Sequence, residues 1–262
     1  MDIQKITQLI LTECDKNPEF LVQTDTRNTR IVIEDKTIWF NRERLSRGNA
    51  KLKDIWIFDT PAGSEEMGGI CKNATTCEQE CYALQQQLQY KNVRMFRLIN
   101  IYLFLKDKDY LLSLIETQLQ HSRIKYKTFR IHSSGDFYDQ TEIAFWNTFI
   151  HNHPEMDFYA YTKVDGMFNF NKIEDKQNFN LIPSLIEDKG IKYRNFGKID
   201  YIKRIAKKVD GFLCPATMME TKKEINCNNG CTYCVKGKKP LFLIHGKGRN
   251  AKKGKKTLTK VA

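Results

Sequence analysis

The chain lacks any apolar run of about 18 residues, the length a membrane-spanning helix needs, so no membrane partner is expected. Its N-terminus, MDIQKITQLILTECDKNPEF, has no apolar core of signal-peptide length and carries acids early. That argues against export and places the chain in the cytoplasm with its thiols reduced, which disfavours a disulfide framework. No internal repeat is visible, which removes solenoids and propellers. No Gly-rich dinucleotide fingerprint follows any strand-like segment. Residues 246–262, GKGRNAKKGKKTLTKVA, hold no acid at all and seven cations.

What is present begins with that charge. The 262 residues carry 43 Lys and Arg against 31 Asp and Glu, a net +12, of which residues 1–245 hold only +5. A Gly- and Lys-rich arm of this kind reads as a disordered tail (247–262) that contacts the phosphate backbone of nucleic acid, with a solubilising tail as the alternative. The chain as a whole is 41% hydrophobic and 11% aromatic, enough for one sizeable core.

Seven of the eight cysteines fall into two clusters. Cys71, Cys77 and Cys81 form the first; Cys214, Cys227, Cys231 and Cys234 form the second, and Cys14 stands apart. In a reducing compartment, thiolates at such spacing read as metal ligands. The second cluster reads as a structural zinc site, with Cys214 or His245 completing the shell around Cys227, Cys231 and Cys234. The first can hold a four-iron four-sulfur cluster with one iron open, or a zinc knuckle completed by another side chain.

Polar and apolar periodicity alternates strand with helix. A helix is expected over 2–14, then a hairpin over 30–40 turning at Glu34-Asp35-Lys36, together an N-terminal extension (1–48). Strands are expected at 55–63, 129–137, 157–164, 211–216 and 240–246, with a further strand in IKYRNFG. Helices are expected over 78–105, 108–121, 142–154, 181–190 and in DYIKRIAKKVD. This order predicts an α/β fold, a (β/α) barrel over 49–246, partial or distorted, with a metal-binding cysteine cluster near the C-terminus. Polar residues would gather where its strands end.

The segment RIHSSGDFYD concentrates the candidate chemistry. Arg130 and His132 alternate with Ile131 and both could face the barrel interior. Ser133, Ser134 and Gly135 make a backbone-exposed turn able to hold a ring or a phosphate. Asp136 follows at the rim as nucleophile or general base, or as a helix cap. Asp139 reads as the cap of the next helix. Phe158, Tyr159 and Tyr161 could stack on a base or pack in the core.

The order WIFDTPAG, C…C…CYA, RIHSSGDF, YAYTK, LCPA…C…CxxC and FLIHG resembles a phage-encoded, mycobacteriophage-type family of conserved gene products, over roughly residues 49–246. The resemblance implies a phage-infected or prophage-bearing bacterial host. The C-terminal part, YIKRIAKKVDGFLCPA followed by C-x3-C-x2-C, is also distantly similar to the end of a tRNA-guanine transglycosylase barrel. Phage relatives of those enzymes insert 7-deazaguanine bases into DNA. That similarity implies zinc on Cys227, Cys231, Cys234 and His245, and guanine exchange through a covalent carboxylate intermediate. Asp136 or Asp210 would be the nucleophile, because Leu213 stands where the family's Asp is expected. His132, Ser133 and Ser134 would hold the base edge, with Lys163 and Arg194 near phosphate. Cys71-x5-Cys77-x3-Cys81, placed after the first core strand, instead resembles the cluster loop of radical S-adenosylmethionine enzymes, whose usual spacing is C-x3-C-x2-C. A zinc-stapled nucleic-acid binder without catalysis is the third reading.

Overall fold

The computed structural model describes residues 1–184 apart from 49–51, 53, 75, 165 and 175–176, and beyond them residues 186–188, 191–193, 212–213, 226–227, 230–231, 234 and 240–241. Asp210, Arg194, Cys214, His245, the helix expected in DYIKRIAKKVD and the basic tail lie outside the described residues.

Helix α1 (Ile3–Lys16) begins where Asp2 accepts a hydrogen bond from the Lys5 amide at 2.9 Å. It buries Ile6, Leu9 and Ile10. The hairpin forms from β1 (Asn28–Ile33) and β2 (Lys36–Asn41), antiparallel, with Glu34 at positive φ in its turn. Both elements feed the same apolar core as the central sheet, through Ile6, Ile10, Ile33 and Ile38.

The central sheet contains β3 (Trp56–Phe58), β4 (Thr128–Ile131), β5 (Asp157–Thr162) and β6 (Phe179–Pro183), all parallel and in chain order. Ser46 bridges Ile57 at the β3 edge. Between β3 and β4 run α2 (Tyr82–Gln89), α3 (Lys91–Lys106) and α4 (Lys108–His121); α5 (Gln140–Asn152) joins β4 to β5 and α6 (Asn171–Glu174) joins β5 to β6. The helix expected over 78–105 is thus broken, at Tyr90, into α2 and α3. Asp139 caps α5 as its sequence predicts, accepting from the amides of Thr141 at 2.8 Å and Glu142 at 3.0 Å, an arrangement worth about 1 kcal/mol.

The two faces of the sheet differ because side chains alternate along each strand. One face carries Phe58, Phe129, Ile131 and Phe158, which bury against α5: Phe129 lies 5.6 Å from Trp146 and 5.4 Å from Phe149, ring centre to ring centre. The other carries Ile57, Arg130, Tyr159, Tyr161 and Asn180, aligned by the register Ile57–Arg130–Tyr159–Asn180.

The barrel expectation is corrected. The described strands make a four-stranded parallel sheet, a separate antiparallel hairpin and two-stranded pairs, and no closed barrel. The reason lies in LIPSLIEDKG, expected as a helix. It is strand instead: β6 runs to Pro183 and β7 (Ile186–Asp188) follows almost at once, pairing antiparallel with β8 (Ile191–Tyr193). Two residues separate β6 from β7, too few for the helical crossover by which a barrel adds its next strand. Beyond these, β9 (Phe212–Leu213) pairs with β12 (Pro240–Leu241), and β10 (Asn226–Cys227) with β11 (Gly230–Cys231), both parallel. The expected metal-binding cluster near the C-terminus is corrected with it. Among the described residues no group of three or more His, Cys, Asp or Glu is placed to hold a metal ion.

Candidate functional site

The loops leaving the C-terminal ends of β3, β4 and β5 interlock. Asp59, just past β3, accepts from the Ser133 hydroxyl at 2.8 Å and from the Ser134 amide at 2.8 Å. The Ser134 hydroxyl donates to the Thr60 carbonyl at 2.9 Å, and the Thr60 amide donates to the Ser134 carbonyl at 3.1 Å. Gly135, at φ +84, lets the two loops touch: a Cβ there would stand 2.0 Å from Thr60 Oγ1. Ser133, Ser134 and Gly135 therefore form the tight turn their sequence suggests, and Asp59 and Thr60 hold its shape. Neither Asp59 nor Thr60 stood out in the sequence. The available signal was an acid immediately after an apolar strand, in WIFDTP.

Asp136 is 4% exposed. Its Oδ1 accepts from the Phe137 amide at 2.8 Å and the Thr162 hydroxyl at 2.7 Å, and its Oδ2 from the Lys163 amide at 2.8 Å. Burial pushes its carboxyl up from the ordinary range, against the pull of those donors. The residue ties the end of β4 to the end of β5.

His132 does not share a face with Arg130. Its φ of +58 reverses the chain direction just past β4, an uncommon conformation for a residue with a Cβ. The ring lies in the core, 5.2 Å from Phe137, with Nε2 2.9 Å from Glu142 Oε1 and Nδ1 3.3 Å from Thr60 Oγ1. Glu142 also accepts from Trp146 Nε1 at 3.1 Å and the Tyr138 amide at 2.6 Å. Burial opposes the charge on His132, but the Glu142 carboxylate together with Asp136 and Asp59 more than offsets it and the imidazole is held above its ordinary range. Glu142 is a second member of the network that the sequence did not single out.

The first cysteine cluster lies beside this edge. Cys71, Cys77 and Cys81 carry free, half-buried thiols on the segment that follows β3. The Cys71 amide donates to the Gly63 carbonyl at 2.9 Å. Asn73 donates through Nδ2 to the Lys163 carbonyl at 2.6 Å, and the Lys163 ammonium donates to Cys77 Sγ at 2.7 Å. Cys81 caps α2, its Sγ accepting from the Leu84 amide at 3.4 Å. Burial raises both the Cys71 and Cys81 thiols, and the charge of Asp136 adds to the rise at Cys71. One edge of the sheet thus brings together Cys71, Cys77, Cys81, Ser133, Ser134, Asp136 and Lys163.

Of the second cluster, Cys234 approaches the polar face of the sheet, where Tyr161 donates to its Sγ at 2.9 Å and Asn180 to its carbonyl. Cys227 and Cys231 sit at a paired position of β10 and β11. On the same polar face Arg130 lies over the Tyr161 ring at 4.8 Å and the Tyr159 ring at 5.8 Å.

The model of the family described as Gene product 88 matches residues 28–257. The Gene 88 protein of Mycobacterium phage L5 is 29% identical over 224 residues, covering 75% of this chain and 89% of its own length. The Gene 88 protein of Mycobacterium phage D29 is 27% identical over 221 residues, with 75% and 89% covered. No solved structure matches the chain.

Proposed function

The chain belongs to the Gene product 88 family, and we propose that it is an iron–sulfur enzyme of radical S-adenosylmethionine type with Cys71, Cys77 and Cys81 as cluster ligands. One observation carries the reading: three free thiols leave the first strand of a parallel sheet and lie against the polar strand ends, fastened there by Asn73 and Lys163. The donor set fits. Three thiolates are the ligands of a four-iron cluster with one iron open.

Bound there, such a cluster supplies a one-electron reductant with one iron open to a cosubstrate. The protein's own part is positional. Lys163 holds a cation against the Cys77 sulfur. Asp59 fixes the Ser133-Ser134 turn as a rigid polar floor, and Asp136 locks the β5 end that carries Lys163. The alternative, guanine exchange through Asp136, requires a carboxylate oxygen presented to a sugar, and Asp136 is buried with both oxygens accepting hydrogen bonds. The acid-free basic stretch at 246–262 supports nucleic acid as the partner.

Anaerobic reconstitution with iron and sulfide tests the reading. About four irons and a broad absorption near ~400 nm are expected, with both lost in Cys77→Ser. A colourless protein with about one zinc and retained base exchange would overturn it.

A further inference from the structure

The polar face of the sheet presents a cation with no described carboxylate within ion-pair distance. Arg130 is half-buried at the centre of that face, between Ile57 and Tyr159 in register. Its Nε is buried and, like those of Arg44 and Arg97, has no hydrogen-bond partner among the described residues. Among the described residues no carboxylate stands within 4.0 Å of its guanidinium; Arg97 is the arginine that approaches Asp59, at 3.8 Å. Asp59 itself accepts from Ser133 and Ser134. Tyr159 and Tyr161, edge to face at 5.9 Å, cradle the guanidinium from below.

Removing a guanidinium from water without an anion is costly, and ring contacts of about 0.5–2 kcal/mol recover only part of that. Other buried cations of this protein are satisfied differently. Arg44 donates to Asn100 Oδ1 at 3.1 Å, and Arg97 donates to the Ala83 carbonyl at 2.8 Å and to Gln86. Among the described residues Arg130 has neither a carbonyl nor an amide oxygen as acceptor in that role. Its ring-backed plane is a fork preorganised for an oxyanion.

We propose that Arg130, backed by Tyr159 and Tyr161, is the binding site for a carboxylate or phosphate group of a ligand that lies across the polar face of the sheet. The site does not depend on iron at the cysteines. It would hold the charged end of a substrate or cosubstrate beside the Ser133-Ser134 turn, to which Tyr82 is joined by a 2.8 Å hydrogen bond to the Ser133 carbonyl. Tyr82 is 46% exposed, which leaves that side open to solvent.

The full chain without iron is titrated calorimetrically with inorganic phosphate and, separately, with acetate at constant ionic strength. Saturable one-site binding of one anion is expected, weakened at least about tenfold in Arg130→Gln and partly in Arg130→Lys, which keeps the charge and loses the fork. Preference for phosphate or for acetate identifies the ligand's charged group. Phenylglyoxal labelling of Arg130 in the unaltered protein, read by mass spectrometry, provides a test that needs no variant; the bound anion should slow it. Binding of neither anion, equal binding by Arg130→Gln, or labelling unaffected by either anion would overturn the assignment. Iron content is measured in parallel, so loss of the anion site and failure of cluster assembly are read separately.

Discussion

The ammonium nitrogen of Lys163 stands 2.7 Å from the Sγ of Cys77, across 86 residues of chain. A cation donating to a ligand sulfur draws charge from the cluster and favours its reduced, more negative form. Lys163→Met should therefore move the midpoint potential of the reconstituted protein to more negative values, by on the order of tens of millivolts. A redox titration followed by visible absorption measures this. An unchanged potential would mean that the Lys163–Cys77 contact does not persist in the loaded protein.

Asp136 makes a separate, structural prediction. Both of its oxygens accept from donors, two of them backbone amides. An asparagine there must turn its amide nitrogen toward a donor. Asp136→Asn should cost about 1–3 kcal/mol in urea unfolding, the penalty for an unmade buried hydrogen bond. Iron content per folded molecule should stay the same, because Asp136 is not one of the proposed cluster ligands.

Gly135 tests the interlock of the two loops. A methyl group there meets Thr60 Oγ1 at 2.0 Å on a backbone at φ +84. Gly135→Ala should destabilise by about 2 kcal/mol or more, from strain and overpacking together. Adding Thr60→Ala removes the oxygen and should recover part of that loss, so the double-mutant cycle should give a non-zero coupling. Additive losses would show that the loops do not meet at this point.

Local rules made much of this legible in advance. The hairpin at 28–41, the helix at 108–121, the Asp139 cap and the Ser-Gly turn each follow from residues within a few positions of one another. What the sequence concealed depends on distant partners. His132 was expected beside Arg130 because strand residues alternate, but its positive φ carries the ring to the opposite face, where Glu142 and Phe137 hold it. Asp59 is one acid among many until the turn 74 residues later closes on it. The segment 181–190 mixes apolar pairs with Pro and Gly, a pattern with no decisive period, and pairing with β5 makes its first part a strand.

The His132–Glu142 contact predicts how stability varies with pH. The two groups lie 2.9 Å apart and are almost fully buried. Burial lowers the imidazole's affinity for a proton, Glu142 together with Asp136 and Asp59 raises it more, and the net displacement is upward from 6.5. A histidine that binds its proton more tightly when folded contributes stability that is complete below its unfolded value. That contribution is lost as pH rises through the folded value. The urea midpoint should thus fall as pH rises above about 6.5, the unfolded imidazole's value. Glu142→Gln keeps one oxygen, for either the Tyr138 amide or Trp146 Nε1 but not both, and removes the charge that holds the proton. It should lower stability most on the acid side of that descent and flatten it. A variant that retains the full slope would place the titrating group elsewhere in the core.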